Sequence, residues 1–462
     1  MENRLIKKTL LYFIGNASAK FIQAALIPVY AFFVSSEALG EFDYYSTLVS
    51  IFVVITFMAT WEYVLKCLLN ETDAVRRSEI TNNVIALAFL GCAALIAIMT
   101  LLSFGGAVNS RAIVPVLLML VANGFATEWQ YFARSYGETK LYVKSGIAAA
   151  VVNLILILVL VCLFNLQTDG LVVSYFISQI SIILIIEYQL KLFSGFSLFD
   201  IHIIDIKKIL KYSVPLILNL ISLSLMTGVG RLLIMEELGA SANGEYVFAM
   251  KFSAIITALG SVFTMASVEE AIIRSKSGRL TEYFSDLLSS LWRIVLALSI
   301  CCIPAIALFY EFIPATEYSG SFYLVPVFIL FADFNLLSTN HGALFQAIAK
   351  TRTIAVSTIC GLAFTGSLSI LSISRYGLTG VALSLCLGML VTLLVRWLLG
   401  IRFCSYSIGF KAIIPFIVFY IFESMILTRY GINSIYGVVA SIAAIAIFTP
   451  VLLKNLKKVK SI

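Results

Sequence analysis

Charged side chains are scarce in this sequence: Asp, Glu, Lys and Arg make up only 12% of its 462 residues. A soluble globular protein carries about 25%. Hydrophobic residues account for 61%, and the mean hydropathy is +1.01. Such a chain cannot cover its surface with polar groups, so lipid rather than water must be its solvent. The composition therefore excludes a soluble protein.

Patterns for disulfides and metal sites are also missing. The chain has eight cysteines but no Cys-x-x-Cys pair, and it has only two histidines. Cysteines inside apolar runs, such as Cys301 and Cys302, act as small hydrophobic residues. The sequence shows no nucleophile–base pair and no metal-ligand spacing. We therefore expect no disulfide framework, no metal site and no bound cofactor.

Long apolar runs, in contrast, fill most of the chain. A membrane-spanning helix needs about 20 apolar residues, because the hydrocarbon core of a bilayer is about 30 Å thick. Fourteen segments meet this requirement: 9–34, 43–66, 79–104, 111–133, 142–165, 170–191, 209–235, 244–272, 285–310, 321–347, 353–373, 377–400, 409–427 and 434–453. The sequence therefore predicts an all-α integral membrane protein with about 14 transmembrane helices.

The basic residues alternate between the two sides of this arrangement. Of the 32 Lys and Arg residues, 25 lie at the termini and in the even-numbered connections, and only three lie in the odd-numbered ones. Cytoplasmic loops of membrane proteins carry the excess of basic residues. The alternation predicts that both termini are cytoplasmic and supports the span count. The net charge of +7 then reflects topology rather than nucleic-acid binding.

A short phrase occurs twice in the chain, about two hundred residues apart. Ala-x-Gly-Glu-aromatic begins at Ala38 and again at Ala242, after spans 1 and 7, and a second echo pairs Gly170 with Gly380. Six spans written twice give a parallel repeat, as in some transporters. We expect two pseudo-symmetric six-helix lobes and a final helix pair, with domains at 1–200, 201–405 and 406–462. Two such lobes would enclose a cleft that opens to either side alternately.

Lys20 is the deepest positive charge. A charge at the bilayer centre costs about 2.5–3.5 kcal/mol, so such residues usually face the protein interior or water. Lys20 lies in the middle of span 1, too far from either surface for its side chain to reach. Asn16 and Gln23 share its helix face. We expect these three side chains to line a cavity; a structural ion pair is the alternative.

Three further cations lie within the spans. Arg231 is near the outer end of span 7, Lys251 is partway into span 8, and Arg293 is partway into span 9. Extension of these side chains to the membrane surface is an equal alternative to a position in the cavity. Together with Lys20, they suit an anionic cargo such as a lipid-linked phosphate.

Asp333, in the middle of span 10, is the deepest carboxylate. It is a candidate for coupling transport to a proton or sodium gradient, or it pairs with a cation such as Lys20. Glu62 and Glu128 lie close to cytoplasmic span ends, where hydrated or paired carboxylates are ordinary, and are secondary candidates for ion coupling or gating. Polar stripes on span 4 (Asn123, Thr127, Gln130, Arg134) and span 10 (Asn335, Ser338, Gly342, Gln346) suggest two walls of a wet cleft.

Three segments carry a family resemblance: ALIPVYAFFVSSEALGEFDYYSTL (25–48), ATEWQYFARSYGETKLYVKSGI (126–147) and the stretch 213–255, which contains Pro215, Arg231 and Lys251. In these segments, and over most of residues 1–400, the chain resembles the polysaccharide-exporter branch of the multidrug/oligosaccharidyl-lipid/polysaccharide exporter superfamily. One departure is Gly230, where many relatives carry an acidic residue before the arginine.

This resemblance implies a MATE-like fold, alternating access and a specific cargo. The cargo would be an undecaprenyl-diphosphate-linked oligosaccharide repeat unit of O-antigen or capsule type. It would be flipped across the bacterial inner membrane, with a polysaccharide polymerase and a chain-length regulator as partners. Two alternatives stay open. A cation-coupled multidrug exporter would need an anionic cavity, and a polysaccharide polymerase or ligase would need larger external loops than the one around residues 311–320.

Overall fold

The computed structural model describes residues 22, 24–69, 71–104, 110–197, 201, 203–258, 260, 280–313, 316–348, 350, 352–403, 406, 411 and 413–459. In these ranges the chain forms helices and turns and no β-strand. We number the helices α1 Ala24–Phe33, α2 Ser36–Thr56, α3 Thr60–Leu68, α4 Ala74–Phe104, α5 Ser110–Ser135, α6 Thr139–Ile157, α7 Gln167–Leu190, α8 Ile203–Glu237, α9 Ala240–Lys251, α10 Leu280–Glu311, α11 Val325–Ala347, α12 Arg352–Ile401, α13 Ile414–Tyr430 and α14 Ile435–Val459.

The predicted spans and the observed helices correspond. Each of the fourteen spans overlaps a helix, although α2 and α3 share one span and α12 covers two. Among the described residues, ten helices are long and apolar enough to cross a membrane. Large apolar side chains on their outer faces are exposed, for example Leu101 and Leu371, as expected for a surface in contact with lipid. The chain is therefore a multi-pass membrane protein, and the prediction of an all-α membrane fold is confirmed.

Span 2 is broken where the sequence predicts one continuous helix. Met58 and Ala59 both have φ +52°, in the left-handed region that non-glycine residues avoid. The Phe57 ring is fully buried at this break and occupies the place where a side chain at position 124 would lie, so Gly124 allows the approach. Thr60 begins α3, and its hydroxyl oxygen lies 2.7 Å from the Phe57 carbonyl oxygen.

The two halves of α12 are also separate helices in practice. The chain reverses at Gly377, whose φ of +53° glycine adopts without strain. The halves then pack so closely that Gly361 and Gly388 face each other's backbone: a β-carbon on either would lie 2.9 Å from the carbonyl oxygen of the other. Small residues permit this approach between membrane helices. The reversal thus places spans 11 and 12 side by side.

By compactness the chain divides into two units, residues 1–29 with 33–228 and residues 30–32 with 229–462. In the first unit α5 is central, packing on α2, α3, α6 and α7, with the buried rings of Phe57, Trp129 and Phe132 in the core. In the second unit α11 packs on α10 and α12, and the final pair α13–α14 packs on α10. The domain limits at 200 and 405 follow the sequence repeat rather than compactness and stay a prediction.

Candidate functional site

The predicted cavity residues Asn16, Lys20 and Gln23 lie outside the described residues, so that part of the prediction stays open. Arg231 and Lys251 lie in the second unit, on either side of the tight turn that joins α8 to α9. Gly239 in this turn has φ +88°, and its N–H donates to the Ile234 carbonyl at 3.0 Å.

The turn brings the end of α8 against the end of α9. Arg231 Nη2 lies 3.2 Å from Sδ of Met250, the residue next to Lys251. Lys251 Nζ lies 4.3 Å from the ring centroid of Tyr30, a buried residue of α1, in cation–π geometry. We call these four residues (Tyr30, Arg231, Met250 and Lys251) the cation corner. It contains two cationic side chains of the α8–α9 pair, Arg231 against Met250 and Lys251 against Tyr30. Cations of this kind can bind a phosphate group.

The structure also explains why Gly230 stands before Arg231. A β-carbon at position 230 would lie 2.6 Å from Val381 Cγ1 of α12. An acidic side chain therefore has no room here, and the positive charge of Arg231 is not matched by a carboxylate on the preceding residue.

Arg293 lies elsewhere, in α10, and no described contact joins it to the cation corner. It is half-buried, and its Nε has no hydrogen-bond partner among the residues that the structure describes. Two of the three described cations thus flank the α8–α9 turn, and the third lies in α10.

Asp333 is fully buried in α11 and interacts with a neutral partner. Its Oδ1 accepts a 2.7 Å hydrogen bond from the Ser299 hydroxyl of α10, while Oδ2 accepts none from any described residue. No described cation forms an ion pair with it. Lys20, the partner named for the ion-pair alternative, lies outside the described residues, so that alternative for Asp333 stays open.

Glu62 and Glu128 both lie near the break between α2 and α3, and each contacts a different residue. The fully buried Glu128 accepts a hydrogen bond from the Thr60 hydroxyl, and its Oε2 has no partner in the described part of the chain. Glu62 is half-buried and accepts a 3.2 Å hydrogen bond from the Tyr131 hydroxyl. Both carboxylates thus connect the broken helix to α5, a position suited to gating.

A cavity of about 350 Å³ lies within the first unit, between α5, α6 and α7, with residues 22 and 26 closing one side. Its polar lining among the described residues is Asn123, Thr127, Gln130, Tyr142, Asn153, Tyr175, Ser178 and Gln179, and none of these is charged. The predicted stripe on span 4 thus forms one wall, except for Arg134. The Arg134 guanidinium carbon lies 5.6 Å from the ring centroid of Tyr142, which is itself a lining residue.

The polar stripe on span 10, in α11, contacts a buried arginine. In α11 the Ser338 carbonyl accepts a 2.8 Å hydrogen bond from Arg396 Nη1, and a β-carbon at Gly342 would lie 3.5 Å from the same nitrogen. Arg396 is buried and also donates to the hydroxyls of Ser357 and Thr358, at 2.9 and 3.1 Å. The stripe on span 10 therefore accommodates a buried arginine.

Sequence reasoning missed several of these residues. Asn153 and Gln179 line the cavity, yet each is one polar residue within a long apolar run. Arg396 was grouped with the cytoplasmic basic residues. Glu423, fully buried in α13, has two carboxylate oxygens that make no hydrogen bond to the described residues. Isolated polar residues inside spans were the available signal.

Comparison with solved structures identifies the fold. A structure described as the lipid II flippase MurJ in an inward closed conformation matches with a TM-score of 0.72 and 14% identity, covering 98% of this chain and 99% of that one. An inward-facing multidrug resistance MATE family transporter of the MOP superfamily matches with a TM-score of 0.59 and 16% identity, covering 86% and 94%.

A MOP superfamily transporter from Pyrococcus furiosus, described as having a binding pocket of reverse polarity, gives a TM-score of 0.56 and 16% identity, covering 86% of this chain and 96% of that one. No protein-family model and no curated protein sequence matches this chain. At these identities the matches show the fold. The chain has the fold of the MurJ and MATE transporters.

Proposed function

We propose that this protein is a flippase for an undecaprenyl-diphosphate-linked oligosaccharide repeat unit of O-antigen or capsule type. It would move the unit from the cytoplasmic to the outer leaflet of the bacterial inner membrane by alternating access, with both termini in the cytoplasm. The observation that carries the proposal is the cation corner, in a fold shared with a lipid II flippase. The sequence resemblance to polysaccharide exporters supports the same conclusion.

The cargo and the protein match in their physical chemistry. A diphosphate is too polar to cross hydrocarbon alone, and two nearby cations offer it charge-assisted hydrogen bonds. The polyprenyl chain is as apolar as the bilayer and needs no binding site for its solvation. Affinity must stay moderate, because a substrate held too tightly would not leave on the far side. The released unit would pass to a polysaccharide polymerase and a chain-length regulator.

The same fold occurs in multidrug exporters, so an exporter of organic cations is the second candidate. Such an exporter would need negative charge in its binding cavity. Among the described residues, those that line the cavity of the first unit carry no charge, and the cation corner is positive. Charge therefore favours the anionic cargo. We propose a transporter rather than a polymerase or ligase because the outer connection around residues 311–320 is short and the sequence shows no nucleophile–base pair.

Purified protein in liposomes tests this function. We expect it to move a fluorescent polyprenyl-diphosphate oligosaccharide between leaflets, measured as the fraction of the label that becomes accessible to an external quencher. A neutral glycolipid with the same oligosaccharide, and liposomes without protein, serve as controls. Efflux of a cationic dye without movement of the diphosphate lipid would support the multidrug exporter instead. Release of free oligosaccharide or of longer polymer would indicate an enzyme.

We further propose that a proton or sodium gradient drives the transport through Asp333. Asp333→Asn keeps the shape and the hydrogen bond from Ser299 but can neither exchange a proton nor balance the charge of Na⁺. We expect the variant to fold normally and to lose the acceleration that an imposed gradient gives the wild type. Glu128→Gln is the matched variant for the other buried carboxyl. If only Glu128→Gln abolishes the response, coupling occurs at the helix break rather than at Asp333.

A further inference from the structure

The described lining of the cavity in the first unit is polar but uncharged. Polar groups that line a buried cavity need hydrogen-bond partners. Its lining includes four side-chain amides and four hydroxyls from α5, α6 and α7. Buried polar groups without hydrogen bonds cost about 1–3 kcal/mol each by protein mutational data. Gln130 and Asn153 are partly buried and make no side-chain hydrogen bond to any residue that the structure describes. The side-chain amides of Gln130 and Asn153 can therefore form hydrogen bonds to a ligand in the cavity.

Other lining groups are already held in position. The Asn123 amide donates a 2.7 Å hydrogen bond to the Tyr175 hydroxyl, which fixes the side chains of α5 and α7 relative to each other. The Thr127 hydroxyl donates to the Asn123 carbonyl at 2.8 Å, and the Ser178 hydroxyl donates to the Tyr175 carbonyl at 2.7 Å. A preorganised wall loses little conformational entropy when a ligand binds.

The space itself comes from small residues on α6. Gly146, Ala149 and Ala150 face the cavity. A β-carbon at Gly146 would meet only the Gln130 amide nitrogen, at 3.8 Å, so a side chain there would extend into open space. The volume of about 350 Å³ falls in the range of small-molecule sites.

The chemistry of the lining selects the class of ligand. Amide groups donate and accept hydrogen bonds at once, as sugar hydroxyls do, and the rings of Tyr142 and Tyr175 offer apolar faces. The described part of the lining, from α5, α6, α7 and residues 22 and 26, has no cation for a phosphate and no carboxylate for an amine. A neutral polyhydroxylated ligand fits these groups better than either charged one.

We propose that this cavity is a binding subsite for an uncharged sugar of the glycan, separate from the cation corner that would bind the diphosphate. The inference rests on the proposed flippase function for its biological ligand, but the binding itself can be measured without transport. In this proposal two sites recognise different parts of one substrate. The neutral amides of the cavity bind the sugar hydroxyls, and the cation corner binds the diphosphate.

Two variants test the subsite. Gly146→Leu fills the cavity, and Gln130→Met removes one amide at nearly constant volume. Ala148→Leu, on the same helix but outside the lining, is the matched control. Thermal stabilisation of the detergent-solubilised protein by a free neutral trisaccharide reports binding. Flipping in liposomes is compared for a polyprenyl-diphosphate trisaccharide and for polyprenyl diphosphate without sugar.

We expect the trisaccharide to stabilise the wild type and the Ala148→Leu variant, and to lose this effect in Gly146→Leu and Gln130→Met. Flipping of the glycosylated lipid should fall at least fivefold in the two cavity variants, with the sugar-free lipid unchanged. Equal loss for both lipids, or no loss of trisaccharide binding, would overturn the subsite. Trisaccharide binding without flipping of either lipid would instead keep the subsite and overturn the proposed function.

Discussion

Replacing Lys251 with methionine should lower flipping of the diphosphate lipid by about tenfold to a hundredfold, because one charge-assisted hydrogen bond is worth about 1.5–3 kcal/mol. Methionine keeps an unbranched chain of similar length against Tyr30, so packing in the cation corner is preserved. The measurement is the initial flipping rate in liposomes at matched protein density. Arg231→Met should have an effect of the same order, because it removes the other cation of the cation corner.

Two controls separate charge from structure in this experiment. Lys251→Arg retains the charge and should keep most of the activity. Lys66 has a comparable contact, with Nζ 3.9 Å from the Tyr212 ring centroid, but it is exposed. Lys66→Met should therefore leave the rate unchanged. If Lys251→Met and Arg231→Met both flip the lipid at the wild-type rate, the cation corner does not bind the cargo.

Alanine at Gly361 or Gly388 should destabilise the second unit strongly. Either β-carbon would overlap a threonine hydroxyl, Thr392 or Thr365, and approach the facing glycine carbonyl to 2.9 Å. A backbone oxygen cannot move aside as a side chain can, so the helices must separate. Overpacking of this kind costs about 1–3 kcal/mol. We expect a clear loss of melting temperature for each variant in detergent.

A double variant tests the geometry more sharply. Once one β-carbon has separated the halves of α12, the second should cost less, so the loss in Gly361→Ala/Gly388→Ala should be smaller than the sum of the single losses. Gly366→Ala is the control on the same helix, because its β-carbon would meet only Val229 Cγ1, at 4.0 Å. Additive losses, or an equal loss for Gly366→Ala, would contradict the close crossing.

The helical fold could be predicted from the sequence because lipid imposes length and hydrophobicity on every span. The break at Met58 and Ala59 could not, since neither residue is a glycine or proline. The cause lies in distant residues, Gly124 and Glu128, which make room for Phe57 and hold Thr60. The reversal at Gly377 falls within the longest helix and was foreseen only as a boundary between spans.

The candidate site was predictable in part. Depth within a span identified Arg231 and Lys251, but the contact of Arg231 with Met250 depends on the turn at Gly239, which a count of residues does not reveal. The cavity could be predicted only on one side. Its α5 wall formed a visible polar stripe, whereas α6 and α7 contribute single polar residues, Asn153 and Gln179, that no periodicity distinguishes. Both the cation corner and the cavity are therefore formed by contacts between residues of different helices, which the sequence alone does not reveal.

Met58 and Ala59 form a joint in the second transmembrane segment, at which the chain bends between α2 and α3. Each left-handed residue stores about 1–2 kcal/mol, and the joint stays bent only while the Phe57 ring is seated against α5 and the Thr60 hydroxyl is held by Glu128. Withdrawing either contact favours straightening. The bend between α2 and α3 therefore depends on α5, which contacts the chain on both sides of it.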